Sequence, residues 1–283
     1  MASKQPLFAF FGTPRFAVNV LNALEKNGLL PALVVTAPDK PRGRGMEVSP
    51  SPAKAWAQVR GIDVITPATL KNDELIADLA NTDWDVFVTA AYGKLIPRQI
   101  LDIPRKGSLN VHPSLLPKFR GPSPALSAIL ADERQTGVSI MLMSETMDAG
   151  PIVSQARIEI GEEDWPLKGS MLEDLLATEG GNFLAETLPH WIAGEIEALP
   201  QDEAKATFTR KFTDEDAKLD LTGDSRNNLL KICAFDKNPR AYFIDDNKRI
   251  IVTEAHLLDG KLVIDRVIPE GKREMPYAQY MNR

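Results

Sequence analysis

Residues 7–11 form an unbroken apolar run closed by Gly12, Thr13 and Pro14, beyond which Phe16, Val20 and Leu24 recur at the spacing of one helical face. A strand, a tight turn and a helix open a doubly wound sheet. The alternation continues: residues 33–36, 63–65 and 85–91 predict further strands, with helical segments over 51–60 and 73–80 between them. Strands separated by helices imply a parallel sheet whose ligands bind at the carboxyl ends of the strands. The expected fold class is α/β, a Rossmann-like, mostly parallel sheet with flanking helices. Ala91, Tyr92 and Gly93 stand at one such strand end.

Residues 108–121, SLNVHPSLLPKFRG, begin as a short apolar alternation and break into a Pro-containing loop. Asn110 and His112 are two positions apart, so on a strand they share a face and can enter one cleft. An amide beside an imidazole can donate hydrogen bonds to an oxygen gaining negative charge, and the imidazole can move protons near neutral pH. Such a pair is the beginning of an acyl-transfer site. A helix is predicted over 125–130 and a buried strand over 138–143, followed by Asp148 in a turn that ends on Gly150. Residues 152–160 alternate as a half-exposed strand does, and a long helix spans about 171–192.

Residues 194–206, GEIEALPQDEAKA, are polar and aperiodic, which reads as a linker. A second unit follows, with a short helix over 229–235 and strand-like runs at 240–244, 248–254 and 261–268 separated by Asp-Asp-Asn and Asp-Gly turns. That pattern predicts a small antiparallel β module. The expected domains are 1–193 and 207–283, joined by 194–206.

Composition narrows the class. The chain of 283 residues exceeds the common single-domain range of about 100–200, which suits two unequal units. With 43% apolar and 25% charged residues it is neither disordered nor built as a membrane protein. The start, MASKQPLFAFFG, holds one Lys and a short apolar run rather than a signal-peptide core, so a cytoplasmic protein with no membrane association is expected. The single Cys233 excludes an internal disulfide and a cysteine-based metal cage, and its apolar setting reads as core. The chain's few His residues are widely separated, so no metal is expected.

The net charge of −6 argues against indiscriminate polyanion binding, yet residues 207–283 carry 14 Lys and Arg against 13 Asp and Glu. Residues 37–52, APDKPRGRGMEVSPSP, hold too many Pro for a helix or a central strand. Lys40, Arg42 and Arg44 make them a basic loop at the expected cleft mouth. Trp56, Trp84, Trp165 and Trp191 are too scattered for a base-stacking platform and read as core, while His190 and His256 read as structural or surface residues.

Taken together, FFGTPRFAV, PDKPRGRG followed by PSPAK, AAYGKLIP, NVHPSLLPKFRG and ETMDAGPI resemble the methionyl-tRNA formyltransferase family in order and spacing. FTRKFTDEDAKLD, the segment around Ala234 and Phe235, and GKREMPYAQYMN extend the resemblance over nearly the whole chain. It implies the formyltransferase fold followed by a small, OB-like tRNA-binding domain. It also implies transfer of a formyl group from 10-formyltetrahydrofolate to the amino group of methionine on initiator tRNA. Carried over by position, the catalytic trio is Asn110, His112 and Asp148. Folate contacts fall on Ser114, Leu115, Leu116 and Pro117, with Ala91, Tyr92 and Gly93 lining the pterin pocket. Lys40, Arg42 and Arg44 match the element that reaches the acceptor stem, and Arg44 aligns with its key arginine. A monomer that needs no metal is expected.

The chemistry agrees with the resemblance. Formyl transfer to an amine needs a neutral nucleophile, a polarised carbonyl and an exit for a proton. Asn110 and His112 are expected to stabilise the oxyanion, and Asp148 to hold the imidazole or take the proton through a water. The carboxylate is also expected to raise the imidazole pKa and favour the cation.

The second unit departs from the family pattern. Between 258 and 261 it lacks roughly one hairpin, judged against strands of about 5–6 residues, and residues 236–242 replace a Trp-Pro-Gly segment. The catalytic motifs are untouched. Rival readings are an amino-sugar nucleotide N-formyltransferase, a hydrolase releasing formate from the same co-substrate, and a non-catalytic RNA- or folate-binding protein. The basic loop and the C-terminal unit argue against the first, and the complete trio against the last.

Overall fold

The computed structural model describes residues 5–42 and 47–282. In chain order the elements begin with β1 (Phe8–Gly12), α1 (Arg15–Lys26), β2 (Leu33–Val35), β3 (Lys40–Arg42), β4 (Glu47–Ser49), α2 (Pro52–Gln58) and β5 (Asp63–Ile65). They continue with α3 (Asp73–Ala80), β6 (Val86–Ala90), α4 (Arg98–Leu101), β7 (Ser108–His112), α5 (Pro124–Leu130), β8 (Gln135–Leu142), β9 (Ile152–Glu159) and α6 (Gly169–Ala193). The last are α7 (Ser225–Ala234), β10 (Tyr242–Asp245), β11 (Lys248–Leu258), β12 (Lys261–Pro269), β13 (Met275–Pro276) and α8 (Tyr277–Met281). Helix starts are set locally: Ser51 caps α2 ahead of Pro52, Asn72 caps α3 and Asp224 caps α7, each side chain accepting a backbone N–H of the first turn.

The chain forms two compact units. The first comprises Met1–Arg120, Gly137–Arg157 and Asp174–Thr207. Its seven-stranded sheet runs β5-β2-β1-β6-β7-β8-β9, with β5, β2, β1, β6 and β7 parallel and β8 antiparallel to β7. The unbroken apolar strands predicted from the sequence follow from burial on both faces. Phe8, Phe10, Val88, Leu109 and Val111 enter a core closed by α1, α2 and α6. Ala9, Phe11 and Phe87 enter an opposite core with Trp84, Tyr92 and Ile100. Phe8, Phe10, Phe11 and Phe87 are fully buried, each worth about 1.5–3 kcal/mol of transfer free energy.

Two short strands form within the described part of residues 37–52: Lys40, Pro41 and Arg42 pair antiparallel with Ser49, Val48 and Glu47. Pro41 has no N–H to donate, and an edge strand tolerates it where the ring nitrogen faces away from the partner strand.

The second unit comprises Gly121–Thr136, Ile158–Glu173 and Phe208–Arg283. Two segments from within the first 193 residues thus pack with the C-terminal part, where α5 lies against α7 and α7 against β11 and β12. Its four strands run β10-β11-β12-β13, an open antiparallel sheet with β10 and β13 at the ends. Both hairpin turns have positive φ at each central residue, Asp246 and Asn247 in one and Asp259 and Gly260 in the other. That is the turn geometry Asp-Asn and Asp-Gly favour.

Among the described residues no helix is long and apolar enough to cross a membrane.

Candidate functional site

Strand β7 positions the first two side chains. Asn110 pairs with Thr89 of β6 and Met141 of β8, and His112 pairs with Ser139 of β8. The period of two puts Asn110 and His112 on the sheet face that carries Phe11 and Phe87, opposite Leu109 and Val111. Among the described residues no hydrogen bond engages the Asn110 amide, which is half-buried, so its donors are available.

His112 is 3% exposed, which decides its chemistry. Its Nε2 lies 3.0 Å from the carbonyl oxygen of Phe119, an atom that can only accept, so Nε2 carries the proton and donates. Nδ1 is therefore a lone pair in the neutral ring, and it lies 3.8 Å from Oδ2 of Asp148. That separation is too long for a hydrogen bond but close enough for strong charge interaction. Burial pushes the His112 pKa below its ordinary value, outweighing the raising effects of the Asp148 charge and the Phe119 carbonyl. The expected rise of the imidazole pKa is thus reversed in direction, because desolvation of the buried ring outweighs the attraction of one partly exposed carboxylate.

Asp148 sits in the turn between β8 and β9 at φ 52°, a left-handed conformation that non-glycine residues other than Asp and Asn rarely adopt. Gln201 donates from Nε2 to the carbonyls of Asp148 (2.8 Å) and Gly150 (2.7 Å). The 194–206 stretch is therefore bonded along the first unit, and Leu199 also bridges Ile152. Its polarity, which reads as that of a linker, reflects groups that serve as partners here.

Residues 114–117 form a tight turn after β7. Ser114 donates from Oγ to the Lys118 carbonyl, and Ser139 donates from Oγ to the Ser114 carbonyl while accepting from Leu116 N–H. Gln155 donates to the Leu116 carbonyl. Ser114 and Leu116 are buried, and these bonds leave the half-buried Leu115 and Pro117 as the side chains open to a ligand. Ala91 (φ 49°) and Gly93 (φ 83°) are exposed on either side of buried Tyr92, whose carbonyl accepts from Thr13 Oγ. The hydroxyls of Tyr92 and Thr89 are buried without a hydrogen-bond partner, and burial pushes the Tyr92 phenol up to about 12. Two orphaned hydroxyls, Thr89's on the strand paired with that of Asn110, and an open backbone turn suit a polar-edged ring ligand.

Lys40 is exposed on β3, which also carries Arg42; Arg44 lies outside the described residues. Trp56, Trp84 and Trp165 are buried, in keeping with a packing role. His190 and His256 are exposed and pair with Glu195 and Asp265. Among the described residues no group of His, Cys, Asp and Glu could hold a metal ion. Sequence reasoning missed Phe119, Ser139 and Gln201. Only Ser139 had a signal, as a polar position in an apolar strand on the face shared with His112.

The family model described as formyl transferase matches residues 5–188. A methionyl-tRNA formyltransferase of Chloroflexus aggregans is 41% identical over 233 residues, covering 82% of this chain and 74% of that protein. The methionyl-tRNA formyltransferase of Methylococcus capsulatus is 35% identical over 296 residues, covering 96% of this chain and 95% of its own. Among solved structures, WlaRD, a sugar 3N-formyl transferase crystallised in the presence of dTDP and 5-N-formyl-THF, superposes with a TM-score of 0.66. It is 18% identical and covers 96% of this chain and 100% of its own, a likeness of fold. The extent and level of identity to the first two establish that the chain belongs to the methionyl-tRNA formyltransferase family.

Proposed function

We propose that the protein transfers the formyl group of 10-formyltetrahydrofolate to the amino group of methionine esterified to initiator tRNA. The observation that carries the chemistry is the buried imidazole: Nε2 is committed to the Phe119 carbonyl and Nδ1 faces Asp148 as a lone pair. The substrate pair is supported by the 35–41% identity to methionyl-tRNA formyltransferases. The folate supplies an electrophilic formyl carbon. The turn of Ala91, Tyr92 and Gly93 and the side chains of Leu115 and Pro117, held in shape by Ser114 and Leu116, would receive its ring.

As the amine attacks, Asn110 donates from its free amide to the formyl oxygen, which gains negative charge. His112 takes the proton released by the amine at Nδ1 and later returns it to the departing folate nitrogen, so protons balance over the turnover. Asp148 stabilises the imidazolium that exists between the two transfers. The catalytic share falls to 1–193, joined through 194–206 to an RNA-holding share in 207–283. The protein works as a monomer in the cytoplasm, where initiator tRNA is used.

Neutral His112 has a direct test. Its folded pKa is depressed, so the ring resonance should titrate with a midpoint below about 6.5 in NMR spectra. A midpoint above 6.5 would restore the cation and reverse the assignment of base and oxyanion donor.

Purified protein should formylate methionyl initiator tRNA with 10-formyltetrahydrofolate in preference to an amino-sugar nucleotide offered as a competing acceptor. Preference for the sugar would overturn the assignment. In the same assay Arg44→Ala should raise KM for the tRNA about 10-fold with the folate KM unchanged, as loss of a phosphate-facing cation would. Equal losses for both substrates would remove the basic segment from tRNA binding.

A further inference from the structure

We infer that Gln201, fixed by Arg120, is a positioning residue that sets the Asp148 carboxylate against His112. The proposal rests on the formyl-transfer reading of the trio and extends it to the stretch that joins the long helix to the second unit.

Three observations carry it. The orientation of the Gln201 carboxamide is settled by its partners. Arg120 donates from Nε (3.0 Å) and Nη2 (2.9 Å) to Oε1, and a guanidinium cannot accept, so Nε2 must point to the carbonyls of Asp148 and Gly150. Gln201 therefore clasps the turn at the residues on either side of Ala149. Arg120 is itself anchored: it is 2% exposed and makes a second, two-pronged contact with Glu203.

The turn also needs such a clasp. Asp148 is held at φ 52°, and Gly150 packs so closely on β8 that an added Cβ would lie 1.8 Å from the Leu142 carbonyl. One side of the turn thus rests on β8 and the other on Gln201. Releasing the Gln201 side lets Asp148 relax toward commoner backbone angles and swing its carboxylate away from Nδ1. Displacements of this size in a catalytic group cost large factors in rate.

Two full-length variants test the idea. Gln201→Met removes both amide donors at nearly constant volume. Gln201→Glu also removes them but still accepts from Arg120, and so preserves that buried contact. Both should lower kcat about 10-fold while the folate KM stays within about two-fold, since only the reacting groups are displaced. In Gln201→Met the NMR titration midpoint of His112 should also fall below that of the parent protein, because the carboxylate that raises it has moved. A structural role alone would lower thermal stability without shifting that midpoint.

Parent kcat in both variants together with an unshifted His112 midpoint would overturn the proposal. Should Gln201→Met not fold, kcat of Gln201→Glu decides by itself. If the parent protein does not formylate methionyl-tRNA, the functional reading fails, and the His112 midpoint in Gln201→Met still decides whether Gln201 positions Asp148.

Discussion

His112→Ala should lower kcat by at least about 10²-fold, or roughly 2.7 kcal/mol of transition-state stabilisation. The size follows from the ring's environment. With Nε2 donating to the Phe119 carbonyl, Nδ1 is the basic atom His112 offers, and the carboxylate beside it stabilises the charge it acquires. Ala offers neither base nor donor. The same change also leaves the Phe119 carbonyl without this donor and opens a void in a nearly fully buried site, which destabilises the fold by about 1–3 kcal/mol for the lost bond. A companion variant separates the effects. His112→Gln retains an N–H able to reach Phe119 but has no proton acceptor of useful basicity, so it should match the Ala variant in rate and exceed it in thermal stability. A folded His112→Ala protein with parental kcat would remove the imidazole from the chemistry.

The parts of this arrangement that could be read along the chain are those governed by short-range rules. The period of two placed Asn110 and His112 on one face, and β7 has them so. Asp246-Asn247 and Asp259-Gly260 carried hairpin chemistry in their residue types. Features that escaped depend on distant partners. Nothing near Gln201 marks it, because a Gln in a polar, aperiodic run has the same local pattern whether it faces water or two buried carbonyls. Residues 121–136 and 158–173 carry no sign of their attachment to 208–283, since the packing of α5 on α7 is a long-range event. His112 shows the limit most clearly. A neighbouring carboxylate can be inferred from motif order, but the depth of burial that overrides it is a property of the assembled strands β6, β7 and β8 around the ring.

Asp148→Asn should reduce kcat by about 10² or more while leaving the fold as stable as the parent. The choice of Asn is forced by the backbone. At φ 52° an Ala would add strain that Asp and Asn tolerate, so an Ala variant would mix a conformational cost with the loss of charge. Asn keeps the shape of the side chain and the two carbonyl contacts made by Gln201, and removes the charge 3.8 Å from Nδ1. Without that charge the imidazolium formed during proton transfer lies in a buried site with its stabilising carboxylate gone. The depressed pKa of resting His112 should therefore fall further, since the largest effect on it, burial, is unopposed by Asp148. The rate losses of Asp148→Asn and His112→Gln, taken together, distinguish the two roles open to Asp148. If it stabilises the protonated ring, kcat and the His112 midpoint drop together. If instead it takes the proton itself and His112 serves only as a donor, the rate is lost but the base strength of the ring no longer governs turnover. In that case His112→Gln would be far less damaged than Asp148→Asn. Equal, severe losses in His112→Gln and Asp148→Asn are the outcome expected of a base and the carboxylate that sustains its charge.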